Sequence, residues 1–403
     1  MSETPKGGKA RLTAPEELAG LTARASAPSE LWLGAGRTGA TTLELERGDP
    51  QGAGSAPAPV EIAFVNLMPD TAFLDTEEQF LGLFSAVSAQ LAVPLRVRRF
   101  WIRGVPRGPA VRGRIARSYL EINALIGSQV DALIVTGTEP RAAYLEAEAF
   151  WPSLSALILW AREAVPSVLL SCLAAHAAVK LFDGVERTRL PKKLSGVFET
   201  DRQGSSPLAE GIPASIRIPH SRSNDVATSL LESRGYRPVL SSGEAWTAVE
   251  VTRSQAHFLL FQGHPEYSPN SLLREHRRDV RRYLSGDRAT YPPVPEEYLD
   301  DVGLRLLDEF ASLPSTLGRN PAGIDAFPAE ALEPHIWPSW RPAAERLYGN
   351  WLGQVVARRR AALGSGRGPE PSAASTLSDS GPVTAPAAGA ELAVTFDGAS
   401  VHA

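Results

Sequence analysis

Short apolar runs alternate with helically spaced segments through the first half of the chain. Val60 to Leu67 reads as a buried strand closed by Pro69. Thr76 to Leu91 follows with Phe80, Leu81, Phe84, Val87 and Leu91 at helical spacing, and Thr76 with Gln79 can form a capping box at its start. A second strand is predicted over Leu95 to Ile102, a helix around Ile115 to Ile126, and a third strand over Ala132 to Thr136 that stops at Gly137. A helix from Pro152 to Ala164 leads into Val168-Leu169-Leu170-Ser171, and the small apolar run Leu173 to Phe182 leaves that strand as a packed helix would. Four strands separated by helices predict an α/β fold of flavodoxin-like type, a parallel sheet with helices on both faces. Ligands bind beyond the carboxyl ends of such strands, where Gly137 and Cys172 both fall.

The later half is richer in strands. Leu194 to Glu199, Ser215 to Ile218, Tyr236 to Ser241, Trp246 to Val251 and His257 to Gln262 all read as short strands, several of them antiparallel. Trp337 to Leu352, with three tryptophans, reads as aromatic packing of a C-terminal helix onto the core. Outside this zone the periodicity stops. Residues 1–56 and 358–403 are dominated by Gly, Ala, Pro and Ser and are expected to be a disordered leader and a disordered tail around a catalytic domain at 57–357. Within the tail only Leu392 to Phe396 has the pattern of a strand or a partner-binding segment.

Composition narrows the function classes. The net charge of −4 calls for neither nucleic acid nor an anionic membrane. The most apolar region, Leu154 to Phe182, is broken by Arg162, Glu163 and Pro166, so no stretch of about 20 apolar residues is present to span a bilayer. Met1 to Ala35 lacks the continuous apolar core of a secretory signal. Cys172 is the only cysteine. It can form no internal disulfide and no cysteine-rich metal site, so a cytoplasmic location and no bound metal or cofactor are expected.

That cysteine stands at a strand-to-helix junction. A helix N-terminus there favours thiolate, and its unpaired N–H groups can hold an oxyanion, Leu173 N–H first among them. A lone cysteine also serves as a small buried hydrophobe. A second strand end carries Gln262-Gly263-His264-Pro265-Glu266-Tyr267. A histidine and a carboxylate two residues apart on an extended segment point the same way, so Glu266 can orient His264. Surface His-x-Glu pairs are common; one facing an elbow cysteine is what a thiolate nucleophile needs.

Several separated motifs then carry a resemblance. They are Asn66-Leu67-Met68-Pro69, Val135-Thr136-Gly137, Cys172, Pro191-Lys192-Lys193-Leu194-Ser195-Gly196-Val197-Phe198-Glu199, Pro219-His220-Ser221-Arg222, Gly263-His264-Pro265-Glu266-Tyr267, Arg277-Arg278-Asp279-Val280 and Asn350-Trp351-Leu352. In this order, over roughly residues 58–355, the chain resembles the homoserine O-acyltransferases, which comprise O-succinyl- and O-acetyltransferases of the class I glutamine amidotransferase-like fold. The resemblance implies acyl transfer from acyl-CoA, a co-substrate, to L-homoserine in methionine biosynthesis. It implies Cys172 as the acylated nucleophile, His264 as acid and base, Glu266 as its orienter, and Lys193, Ser221, Arg222 and Arg278 around the amino acid. A homodimer is the expected assembly.

The chain departs from the family pattern in places. Asp70-Thr71-Ala72-Phe73 follows Asn-Leu-Met-Pro where the family has lysines, one of which helps hold the oxyanion. Leu173 replaces the usual Trp and His176 the usual Gln. His176 is a second acid/base candidate or a hydrogen-bonded structural residue. Acyl choice in the family turns on a position shortly after the Thr-Gly. Gapless alignment puts Arg141 there, which suits a succinyl carboxylate; a shift of two residues would put Glu139 there and favour acetyl. Arg96, Arg98, Arg99, Arg103, Arg107, Arg112, Arg114 and Arg117 form a concentration read as a solvated face, with CoA phosphates or a neighbouring subunit as alternatives. Two other functions stay open: a glutaminase-type amidotransferase, and a non-catalytic relative that binds an amino acid or acyl-CoA. Serine as acceptor in place of homoserine is also open.

Overall fold

The computed structural model describes residues 30–33, 58–317, 319–337 and 340–364. The expectations for the rest of the leader and for the segment Leu392 to Phe396 fall outside the described residues. Two described elements cross the expected domain limits. Strand β1 (Glu30–Leu33) lies inside the stretch read as leader, and the last helix runs on past residue 357 to Gly364.

In chain order the remaining elements begin with β2 (Val60–Asn66), α1 (Phe73–Leu91), β3 (Leu95–Trp101), α2 (Pro109–Ser118) and β4 (Leu120–Glu121). Then come β5 (Ala132–Val135), α3 (Trp151–Ala164), β6 (Ser167–Ser171) and α4 (Leu173–Asp183). The strand-rich part holds β7 (Thr188–Arg202), β8 (Ser215–Asp225), α5 (Thr228–Ser233), β9 (Arg237–Ser242), β10 (Ala245–Arg253) and β11 (Ala256–Phe261). Helices α6 (Ser271–Leu284), α7 (Asp301–Leu317), α8 (Ala329–Leu332) and α9 (Arg341–Gly364) complete it.

All these strands join one sheet in the order β1-β3-β2-β5-β6-β11-β10-β9-β7-β8, with β4 beside β3. The run β3, β2, β5, β6, β11 is parallel; β1 and the strands from β10 onward pair antiparallel. The fold is therefore α/β, as the alternating pattern predicts. Strands β5, β6 and β11 are buried along their whole length, which is why Ala132–Val135 and residues 168–170 and 258–261 are apolar throughout. Helices cover both faces. On one, α3 and α4 pack Leu154, Leu157, Ala174 and Ala178 into a core with Leu133 and Leu170. On the other, α1 and α9 pack Phe80, Phe84, Tyr348 and Trp351 over Ile62, Ile134 and Leu259. Phe84 meets the Tyr348 and Trp351 rings edge-on, at centroid distances of 5.4 and 5.8 Å.

Several boundaries move for identifiable reasons. Helix α1 begins at Phe73, a turn before Thr76, because the Pro69 turn and the burial of Phe73 start it early; Thr76 and Gln79 form no capping box, and Gln79 Nε2 donates to Ser271 Oγ at 2.8 Å. The helix expected over 115–126 is α2, started by Pro109 at its first turn and ended at Tyr119. Tyr119 leaves the helix in extended conformation and donates its OH to Glu77 Oε2 at 2.7 Å.

The arginine concentration is a solvated face only in part: Arg103, Arg112 and Arg117 are exposed, whereas Arg99 is buried. Arg99 and Arg114 pair with the buried Glu77 at 2.7 and 2.8 Å, Arg96 with Glu61 at 2.8 Å and Arg103 with Glu121 at 2.5 Å. Arg107 reaches the carbonyls of Asn66 and Met68 and the Asp70 carboxylate. Of the C-terminal aromatics, Tyr348 and Trp351 pack α9 onto the sheet, whereas Trp340 joins the cluster around α6 and α7 and Trp337 is half exposed.

Candidate active site

The sheet order assembles the site. β5, β6 and β11 are neighbours and parallel, with Val135 opposite Leu170 and Ser171 opposite Phe261. The residues just beyond their carboxyl ends, Gly137, Cys172 and His264, therefore share one edge although they are far apart in sequence. Cys172 caps α4 with φ 51° and ψ −111°, a conformation rare for a non-glycine residue and typical of strained functional turns. Its amide donates to Phe261 O at 2.7 Å, tying the elbow to the neighbouring strand. Gly137 covers the elbow: a Cβ there would lie 2.9 Å from Cys172 Cβ and 3.4 Å from Leu173 N. Leu173 N–H belongs to the first turn of α4 and has no intrahelical acceptor, so it is available to an oxyanion beside the thiol.

His264 is buried at the end of β11 and its Nδ1 lies 2.8 Å from Glu266 Oε1. Its backbone N–H donates to Pro219 O at 2.7 Å, and the Tyr267 ring stacks on the imidazole at 4.3 Å, so the ring has one orientation. Cys172 also acts electrostatically on the imidazole. Burial works against charge on this imidazole, but the Glu266 carboxylate and the negative charge at Cys172 outweigh it and raise its pKa to about 10. The second carboxylate oxygen of Glu266 is buried with no partner, and Ser171 Oγ donates to the first at 3.3 Å. Cys172, His264 and Glu266 are thus brought together as a thiol, an imidazole and an orienting carboxylate.

Beside this triad lies a second polar cluster. Glu275 on α6 accepts from Tyr267 OH at 2.7 Å, from Lys193 Nζ at 3.1 Å and from Ser221 Oγ. Burial pushes its pKa up, but Lys193, Arg278 and these hydrogen bonds together hold it down at about 2. Lys193 also donates to Asp279 at 3.1 Å, and Arg282 forms a two-bond fork with Glu139 at 2.6 and 2.9 Å. Arg278 acts on both Glu275 and Glu139. Lys193, Ser221 and Arg278 are accordingly assembled in one place. Glu275 was not legible as a site residue, although Glu275, Arg278, Asp279 and Arg282 recur at helical spacing and form a charged stripe on α6. The opposite stripe of Leu272, Leu273, Val280 and Leu284 enters the core.

Two residues, Arg222 and Arg141, sit differently from expectation, and His176 takes the structural one of its two expected roles. Ser221 and Arg222 point to opposite faces of β8, as consecutive strand residues must. Arg222 is buried, donates to His220 Nδ1 at 2.5 Å and pairs with Asp225 at 3.1 Å. It is not in the Lys193 cluster. The Arg141 side chain is exposed; its backbone N–H and that of Ala142 donate to Glu148 Oε1 at 2.5 and 2.7 Å. Glu139, the residue two positions earlier, is the one that meets the Lys193 and Arg278 cluster. His176 is buried, 2.8 Å from Gln262 Oε1 and edge-on to Trp246, and burial lowers its pKa to about 4. That is a structural histidine rather than an acid at neutral pH.

A family model for homoserine O-succinyltransferase matches residues 49–361. The chain belongs to that family. Two relatives carrying this name are similar to it along most of their length. The one from Rhodopseudomonas palustris is 41% identical over 293 residues, covering 73% of this chain and 87% of the relative. The one from Methylorubrum extorquens is 40% identical over 306 residues, covering 75% and 90%. Among solved structures, a glutamine amidotransferase from Methylobacillus flagellatus aligns over 73% of this chain and 94% of its own at 18% identity and a TM-score of 0.40. This member of the homoserine O-succinyltransferase family has Cys172, His264 and Glu266 together and carries no lysine in the Asp70–Phe73 stretch. Arg107 lies against that loop, committed to the carbonyls of Asn66 and Met68 and to Asp70.

Proposed function

We propose that this protein transfers a succinyl group from succinyl-CoA to the hydroxyl of L-homoserine through a thioester on Cys172, a step of methionine biosynthesis. The observation that carries the reading is His264, bonded to Glu266 and acting electrostatically with Cys172 next to a cluster suited to an amino-acid head. Succinyl is favoured over acetyl by the names of the relatives at 41% and 40% identity.

The chemistry follows from the charge on His264. With the imidazole protonated, Cys172 attacks the thioester carbonyl as thiolate, and Leu173 N–H supports the developing oxyanion. When the bond between the carbonyl carbon and the CoA sulfur breaks, the CoA thiolate takes the proton from His264. The neutral imidazole then accepts the proton of the homoserine hydroxyl as that oxygen attacks the acyl-enzyme. Collapse of the second tetrahedral species releases O-acyl homoserine and restores Cys172 thiolate beside imidazolium. Glu275 supplies a carboxylate for the substrate ammonium, and Arg278 a guanidinium fork for its carboxylate. A small acceptor held by both ends of its head presents its hydroxyl in one place.

Intact mass of the protein after incubation with succinyl-CoA, without acceptor, tests this directly. The expected result is one added succinyl mass that homoserine discharges and that Cys172→Ala does not acquire. Absence of an adduct from both succinyl-CoA and acetyl-CoA overturns the reading.

A further inference from the structure

Tyr267 touches both halves of the site. Residues 264–267 form a β-turn, closed by the Tyr267 N–H donating to His264 O at 3.1 Å, with Pro265 in the position its fixed φ suits. The turn brings two side chains back onto the histidine. Glu266 Oε1 lies 2.8 Å from Nδ1, and the Tyr267 ring lies over the imidazole at 4.3 Å and 18° from parallel. Trp340 Nε1 donates to Tyr267 O at 2.9 Å, and Trp340 is itself buried in the cluster with Leu273 and Tyr298. The tyrosine is therefore held at its backbone and across its ring, which leaves its hydroxyl little freedom.

That hydroxyl donates to Glu275 Oε1 at 2.7 Å. Glu275 Oε2 takes Lys193 Nζ at 3.1 Å and Ser221 Oγ, donors carried by β7 and β8. A carboxylate offers about four acceptor sites, so these three donors leave room for one from a substrate ammonium. Lys193 and Ser221 tie Glu275 to the sheet; Tyr267 is the donor that also touches the base. A phenol does not bend between its face and its oxygen, so the stacked His264 and the bonded Glu275 stand at a set separation.

Transfer to the acceptor depends on that separation. The amino-acid head is placed by Glu275 and Arg278, its hydroxyl must arrive where His264 can take the proton, and the covalent bonds of a small acceptor fix the span between the two. We infer that Tyr267 is a positioning residue that sets the distance between the amino-acid cluster and the base, and so governs discharge of the acyl-enzyme by the acceptor rather than loading by the donor. This role deepens the acyltransferase reading and rests on it.

The test separates the two half-reactions. Acyl-enzyme is formed with succinyl-CoA and freed of excess donor, and its discharge is followed by intact mass with L-homoserine and, separately, with hydroxylamine, a nucleophile without an amino-acid head. Tyr267→Phe keeps the ring over His264 and removes the bond to Glu275. Loss of one hydrogen bond to a charged group predicts homoserine discharge slowed about 10- to 100-fold, with hydroxylamine discharge and Cys172 acylation near the wild-type rate, which also shows that the variant is folded. In a Glu275→Gln background the same change is expected to add little, because Tyr267 acts through that carboxylate. Tyr267→Leu, which removes the ring as well, is expected to slow hydroxylamine discharge too. Homoserine discharge at the wild-type rate in Tyr267→Phe, an equal loss with both nucleophiles, full additivity with Glu275→Gln, or hydroxylamine discharge untouched in Tyr267→Leu overturns the assignment. Failure of the acyltransferase reading itself has a different signature, a wild-type protein that takes no acyl mass from any donor.

Discussion

At the scale of single residues, reactivity resides in one imidazole whose environment opposes two effects. Burial favours neutral His264, and the Glu266 carboxylate 2.8 Å away favours the imidazolium, with the second effect winning. Glu266→Gln keeps the shape and removes the charge. Its expected consequence is a His264 midpoint well below about 10, read from ring NMR signals across a pH series. A fall in kcat/KM of about 10²- to 10⁴-fold accompanies it, because the imidazole loses both its charge support and its enforced tautomer. A midpoint that stays in place in the variant would assign the shift to Cys172 alone. Because Cys172 is the single cysteine of the chain, alkylation reports on this site without interference. Cys172, His264 and Glu266 were legible as candidates because their types are scarce and their chemistry is specific. Arginines are common, and which of them faces the nucleophile depends on strand alternation and on partners elsewhere in the chain. Arg141 and Arg222 belong to that second kind.

At the scale of elements, the elbow works because three strand ends meet with almost no side-chain volume between two of them. Gly137→Ala would place a methyl 2.9 Å from Cys172 Cβ, against a backbone already held at positive φ and anchored to Phe261 O. The expected outcome is a folded protein with an unchanged circular dichroism spectrum and a rate of Cys172 acylation reduced about 10²-fold, the cost of moving a reacting atom by about 1 Å. An acylation rate equal to wild type would mean that the elbow has room to relax. Helix α6 shows the same dependence on placement. Its charged stripe lies over the site only because Val280, Leu273 and Leu284 dock the other side into the cluster with Tyr298 and Phe310. Its periodicity is written in the sequence, but its position over β8 is not.

At the scale of the whole molecule, buried histidines couple the fold to acid. His176, His220 and His276 are buried, and burial lowers all three pKa values, to about 4 for His176 and His276. For His176 and His276 the unfolded chain binds the proton near the ordinary histidine pKa and the folded one only near 4, so their contribution is present above about pH 6.5 and is lost as pH falls toward 4, and His220 acts in the same direction. His264 acts in the opposite sense: its raised pKa stabilises the fold below about pH 6.5, and that contribution fades as pH rises through about 10. Urea midpoints measured between pH 7 and 4 are therefore expected to fall. His176→Gln, which keeps a partner for Gln262, is expected to remove about 2–4 kcal/mol of that pH dependence. A variant with the wild-type slope would show that His176 is not among the groups responsible.

The sequence by itself determined the alternation of strands and helices and singled out Cys172, His264 and Glu266, since hydrophobic period and chemically specific residue types are local properties. Only the tertiary structure decided that β11 lies beside β6, which brings His264 to Cys172. It also decided that α1 begins a turn early on Phe73, that Arg99 and Arg114 turn onto the buried Glu77, and that Glu275 and Glu139 rather than Arg222 and Arg141 join Lys193 and Arg278. Each of these depends on which distant segment supplies a charge partner or an apolar surface. Such pairings are fixed by burial and electrostatics across the folded sheet, and no window of neighbouring residues contains them.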